Sequence, residues 1–242
     1  METSTNYSKT AGVRRADKSE NTTLFRNVYL WMTMALFITG ATALTVSDSP
    51  TLLNAIFGSK VAFFGLIIAE LALVFVLSAR VQNMSVHGAR AAFFGYALLN
   101  GMVLSYYFIA FSVGELILAF LSTAVYFGLM AVYGTTTHKD LTGWGPRLMM
   151  ALVALLVTGL VGMLFGFGFG GSVLYCGIGL VVFMLLTAYD TQKLSQMFSY
   201  YAYDGELAEK ASIYGALTLY LDFINIFLYV VRLLGMNSRR RN

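Results

Sequence analysis

Long apolar runs separated by short polar connections dominate the chain from about residue 27 to residue 235. A helix needs about 20 mostly apolar residues to cross a hydrocarbon core of about 30 Å. Seven stretches reach that length, at about 27–47, 61–80, 90–111, 113–133, 148–169, 172–192 and 212–235. The runs are continuous. That excludes a membrane β-barrel, whose strands alternate over about ten residues. The pattern predicts an all-α polytopic membrane protein of seven transmembrane helices. Both prolines, Pro50 and Pro146, fall in connections. A seven-helix domain over 26–236 is therefore expected between a polar tail at 1–25 and a basic tail at 237–242. The glycine-rich run Gly166–Gly171 reads as a tight turn, and 192–211, with Asp204, Glu206 and Glu209, reads as a long acidic loop.

Composition strengthens this picture. Of 242 residues, 58% are hydrophobic and only 12% charged, about half the charge of a soluble domain, and the mean hydropathy is +0.71. Disorder requires the opposite balance. The net charge of +4 gathers mostly in the tails, which suits anionic lipid headgroups rather than nucleic acid. The single cysteine, Cys176, leaves no intramolecular disulfide to form. The polar N-terminal stretch lacks the pattern of a cleaved signal peptide.

Basic residues then orient the spans. Lys9, Arg14, Arg15, Lys18 and Arg26 lie in the N-terminal tail. Arg80 and Arg90 flank the second connection, Lys139 and Arg147 the fourth, and Lys193 and Lys210 lie in the sixth. The first connection has only Lys60, and the third and fifth have none. By the positive-inside rule the N-terminus is expected in the cytoplasm. Arg232 and Arg239–Arg241 pull the other way, because an odd number of crossings places them outside. Seven crossings are preferred to a segment that enters and returns, since 212–235 is uninterrupted.

Ionisable groups at membrane depth cost about 2.5–3.5 kcal/mol each on insertion scales and mark functional sites by default. The candidates are Glu70, Arg80, Asp190 and Asp222, whereas Glu115 stands at a span end where a solvated headgroup contact accounts for it. At about 100° per residue, Gly215, Thr218, Asp222, Asn225, Tyr229 and Arg232 share one narrow face of the last helix. Interhelical hydrogen bonding explains Thr218 and Asn225. A central aspartate is a costlier choice for that purpose than asparagine. Two buried carboxylates on consecutive helices titrate as a unit. Asp190 and Asp222 therefore suit a proton switch, an acid–base catalyst or a cation site, and the residues leave these three open.

Ala188-Tyr-Asp-Thr-Gln192 and the longer Gly215-Ala-Leu-Thr-Leu-Tyr-Leu-Asp-Phe-Ile-Asn-Ile-Phe-Leu-Tyr229 resemble the Bax inhibitor-1 family, the transmembrane Bax inhibitor motif proteins, and among them the bacterial YccA-like members. The likeness runs over about residues 25–236. It implies six helices around a central seventh, and a pH-sensitive Ca²⁺ leak gated by the aspartate pair that Asp190 and Asp222 match. It gives Arg80 the part of a latch on the sixth-span aspartate, and Glu70 stands where some members carry an acid. Ca²⁺ favours oxygen ligands. The pair would therefore bind it transiently as the permeant ion, with Asn225 and Thr218 as supporting polar groups and no resident cofactor. The same likeness places the protein in a bacterial inner membrane.

Enzymatic readings fit less well. An intramembrane aspartyl protease shares Tyr189-Asp190, but its second aspartate follows Gly-x-Gly-Asp, whereas Tyr220-Leu-Asp222 stands here. A retinal protein needs a lysine in the last helix, and 212–235 has none. His87 and His138, both near connections, do not make a helical zinc pair, and a rhomboid-type serine protease finds neither its serine turn nor its histidine. The protein is not expected to be an enzyme. The competing expectation is a membrane interaction protein that modulates a membrane-anchored AAA protease or a stress and cell-death response. Such a role would rest on the tail and loops.

Overall fold

The computed structural model describes residues 18–166, 172–201 and 204–239. Within them lie eight α-helices: α1 (Lys18–Ser47), α2 (Pro50–Phe57), α3 (Lys60–Arg80), α4 (Val86–Ala110), α5 (Val113–Thr136), α6 (Gly145–Phe165), α7 (Val173–Tyr201) and α8 (Gly205–Arg239). All except α2 are long and apolar enough to cross a membrane. No strand occurs among the described residues. The seven-span, all-α architecture is that expected from the apolar pattern.

Local chemistry sets the helix starts. Ser49 caps α2 by accepting from the Leu52 N–H at 3.4 Å, and Ser85 caps α4 through the Gly88 N–H at 3.1 Å. Ser112 and Glu115 form a reciprocal capping box at the start of α5, satisfying two otherwise orphaned N–H groups. Glu115 therefore has a structural task beyond meeting headgroups. The prolines are not in loops as expected. Pro50 and Pro146 occupy the first turns of α2 and α6, where the missing N–H has no intrahelical partner to lose. Gly166 closes α6 with φ of 70°, a left-handed cap that glycine adopts without steric cost. The remainder of the Gly166–Gly171 turn lies outside the described residues, as do most of the 1–25 tail and 240–242.

The long acidic loop expected over 192–211 is instead almost entirely helical. α7 runs on to Tyr201 and α8 begins at Gly205. Asp204 caps the start of α8 by accepting from the Glu206 and Leu207 N–H groups at 3.1 Å each. Lys210 bridges Glu206 at 2.7 Å across one turn, and Glu209 pairs with Arg90 of α4. An apolar run marks where the bilayer ends. Backbone hydrogen bonding continues beyond it wherever polar side chains keep the helix satisfied.

The last helix is the core of the bundle. In its most apolar window 61% of residues are buried, against 6% for α3. It packs extensively on α1, α4, α5 and α7, while α3 leans chiefly on α4 and α6 chiefly on α7. The surround is uneven, with four helices in close contact and two outside them. α8 is also a single unbroken helix of 35 residues, about 52 Å long at 1.5 Å per residue. That length crosses a bilayer without turning back.

Candidate functional site

Asp222 sits mid-way along the central helix and is only 4% exposed. Asp190, half-buried on α7, faces it closely enough for the two carboxyls to interact. Thr187, one turn before Asp190, is a hydrogen-bond partner of Asp222, and its Oγ1 also lies 2.8 Å from the Phe183 carbonyl of its own helix. Asp222 Oδ2 has no hydrogen-bond partner among the described residues. Lys193, on the same side of α7 one turn beyond Asp190, acts electrostatically on that aspartate and lies 5.8 Å from the Tyr189 ring. The antiparallel α7–α8 hairpin thus brings together the two aspartates singled out from sequence.

Small residues hold this arrangement. Gly134 of α5 presses against the Ala188 backbone, and a Cβ there would collide with the Ala188 carbonyl oxygen. Further along, Gly179 of α7 leaves room for the Tyr229 ring of α8. Close approach of backbones through small residues is how membrane helices gain packing contacts that lipid cannot supply.

The other members of the polar stripe do not converge on the pair. Thr218 donates to the Tyr214 carbonyl at 3.0 Å, and the Asn225 amide donates to the Leu221 carbonyl at 2.8 Å. Both therefore turn back onto their own helix. Arg232 donates through Nε at 3.0 Å and Nη2 at 2.8 Å to the Tyr107 hydroxyl, with the Tyr107 and Tyr229 rings each 5.9 Å away. Arg80 is exposed at the end of α3 and makes no ion pair among the described residues. Its helix packs chiefly on α4, and no ion pair joins it to Asp190.

Glu70 belongs to a second polar cluster that sequence reasoning did not assemble. Asn100 Nδ2 of α4 donates to Glu70 Oε1, and Tyr96 is a further hydrogen-bond partner of the carboxyl. The Tyr96 ring meets Tyr220 of α8 edge-on at 5.9 Å. The Tyr220 hydroxyl shares a 2.7 Å hydrogen bond with Thr39 Oγ1 of α1, which also lies 2.9 Å from the Ala35 carbonyl and 3.0 Å from the Ala97 carbonyl. Tyr220 and Asp222 are two residues apart, about 200° around the helix, so the clusters occupy opposite faces of α8. Asn100 and Thr39 at membrane depth were the available signal, but no sequence period reveals which helices meet.

The aspartate pair offers carboxylate oxygens, which suit a proton or a hard cation. Among the described residues, no group of three or more His, Cys, Asp or Glu side chains is placed to hold a metal ion. Two carboxylates alone fit brief occupancy rather than a closed cage.

Comparison with known proteins agrees with this architecture. The family model described as inhibitor of apoptosis-promoting Bax1 matches residues 21–239. Inner membrane protein YbhL of Escherichia coli strain K12 is 42% identical over 215 residues, covering 88% of this chain and 91% of its own. An uncharacterized protein of Rickettsia prowazekii is 36% identical over 237 residues, covering 95% and 97%. One from Borreliella burgdorferi is 37% identical over 215, covering 89% and 91%. With the family model matched over nearly the whole bundle, this chain is a multi-pass membrane protein belonging to the Bax inhibitor-1 family.

Proposed function

We propose that the protein is a pH-sensitive cation leak, passing Ca²⁺, with Asp190 and Asp222 as its gate. The observation that carries this reading is the buried apposition of the two carboxyls on α7 and α8, with Asp222 Oδ2 left unpartnered. An oxygen removed from water without a hydrogen bond is costly, and membrane interiors keep such groups where function needs them. Two negative charges in a low-dielectric site repel, so a proton or a cation between them is favoured. With a proton shared, α7 and α8 stay packed. When it leaves, a passing cation takes its place, and Ca²⁺ accepts carboxylate and water oxygens readily. Weak binding suits a leak, since a tightly held ion would block the path.

Lys193 already sits beside Asp190, so the carboxylate has a cation available when the gate is closed. The latch that the family resemblance gives to Arg80 requires the end of α3 to swing toward α7. By the same reading the membrane is a bacterial inner membrane, as for the relative from Escherichia coli, with the N-terminus in the cytoplasm. The protein catalyses no reaction in this role.

The test is Ca²⁺ flux into proteoliposomes from about pH 6 to 8, the range reached when paired carboxyls titrate together. Wild type should leak with a clear pH dependence, and Asp222→Asn should lose that dependence while remaining folded. Wild-type vesicles that pass no Ca²⁺ at any pH in the range would overturn the reading.

A further inference from the structure

We propose that the cavity between the α5–α6 connection and α7 is a binding site for the headgroup of an anionic phospholipid. The cavity holds about 300 Å³, near the lower end of the size range of small-molecule pockets. Tyr133, Lys139, Asp140, Trp144, Leu185 and Tyr189 are among the residues that line it. The helices alternate in direction, so it opens at the same end of the bundle as Arg80, Arg90 and Lys210.

The cavity is built rather than incidental, because both of its walls are fixed. Gln192 of α7 accepts from the Leu141 N–H through Oε1 and donates to the Lys139 carbonyl through Nε2, each at 2.8 Å. One side-chain amide thereby satisfies a donor and an acceptor of the connection and ties it to α7. At the start of α6, the Tyr189 ring end packs so closely on Gly145 that a Cβ there would have to push the hydroxyl aside. Asp140 accepts from the Thr142 N–H at 2.8 Å, and hydrogen bonds from the Thr142 side chain and then its backbone hold the carboxyl below the usual carboxylate range. Its charge therefore closes the turn next to Lys139.

Charge and depth select the occupant. Lys139 lines the cavity, Arg147 lies 6.0 Å from the Trp144 ring and Lys193 lies 5.8 Å from the Tyr189 ring. Lys139 in the lining and Arg147 beside it are thus the cations left for an anion, against the lining carboxylate of Asp140, while Lys193 also faces Asp190. Neither Lys139 nor Arg147 makes an ion pair among the described residues. Trp and Tyr collect at headgroup depth, where one edge of the ring is wet and the other apolar. Leu185 of the lining is exposed, and Val181, one turn earlier on the same face of α7, is exposed as well. A headgroup phosphate fits among the cations while its acyl chains follow this flank. Each Lys or Arg near an anionic membrane surface strengthens such binding about fivefold. The proposal does not depend on the protein's being a leak.

The full-length protein reconstituted in nanodiscs of phosphatidylglycerol or of phosphatidylcholine provides the test. Backbone hydrogen exchange over residues 138–144 should be several-fold slower with phosphatidylglycerol. Native mass spectrometry should show that lipid retained in preference to phosphatidylcholine. In Lys139→Gln/Arg147→Gln the exchange difference should vanish, and retention should fall roughly fivefold for each cation removed. Lys60→Gln, at the opposite end of the bundle, should behave as wild type. Equal exchange of the wild-type connection in the two lipids overturns the proposal even if the double variant fails to fold. Equal retention by wild type and a folded double variant does the same. If free glycerol phosphate slows exchange as much in phosphatidylcholine discs, the site takes a soluble phosphoester, and a lipid is the wrong occupant.

Discussion

The two faces of α8 handle buried polar groups in opposite ways. On one, Tyr220 joins α1, α4 and α3 through Thr39, Tyr96, Asn100 and Glu70. On the other, Asp222 confronts Asp190 and keeps one oxygen without a partner. The first arrangement links four helices, and each of its bonds resists their separation. The second places two acids together and leaves capacity for something not supplied by the protein. Asn100 Oδ1 on the first face and Asp222 Oδ2 on the second both lack a hydrogen-bond partner among the described residues. Cohesion and responsiveness are therefore distinguished here by bonds that cross between helices on one side and two opposed acids on the other.

Substitutions that separate stability from flux sharpen this contrast. The largest effect on stability is expected from Gly134→Leu, since its side chain must displace the Ala188 backbone next to Asp190. Overpacking of this kind costs about 3 kcal/mol, which thermal unfolding in detergent would register as a markedly lower Tm. Asn100→Leu comes next. It strips Glu70 of a hydrogen-bond donor, and leaving a buried polar group unpaired costs about 2 kcal/mol. Its flux should nevertheless keep the wild-type pH profile, and loss of that profile would erase the distinction between the two faces.

Tyr220→Phe removes only the hydroxyl shared with Thr39. A loss of about 1 kcal/mol is expected, again with unchanged pH dependence in vesicles. The smallest change belongs to Arg80→Gln, because the side chain is exposed and unpaired among the described residues. Its stability should stay within about 0.5 kcal/mol of wild type. Increased flux at the acidic end of the range would identify Arg80 as a latch formed when α3 moves.

Particular residues show what the sequence revealed and what it left hidden. Asp190 and Asp222 stood out because a carboxylate inside an apolar run is conspicuous whatever surrounds it, and the seven runs themselves follow from bilayer thickness. Asn100 and Thr39 were less visible, since uncharged polar residues are common enough in membrane helices to pass as ordinary packing. Their importance depends on which helices meet. Periodicity resolves a face of one helix but does not name its neighbour, which is why Glu70 was found without Asn100. The helical stretch at 192–211 was missed for another reason. Its polar side chains satisfy one another through caps and ion pairs, and hydropathy does not register such bonds. Gln192 reads in the sequence only as part of a motif, although its amide ties the α5–α6 connection to α7.

The position of α8 also has a consequence for biosynthesis. A ribosome delivers the chain from its N-terminus, so the helix that supplies the centre is the last to emerge. Until it arrives, α1 can pair with α4 and α5 with α7, but α7 lacks its main partner and the two pairs lack the helix that joins them, and Thr39 waits for the hydroxyl of Tyr220. Unfinished helical proteins with unmet partners are the usual targets of misassembly and quality control. A chain cut short before residue 205 would still contain six helices able to insert, but without a keystone. Synthesis order thus gives the cell a built-in check that only a completed polypeptide closes into a bundle.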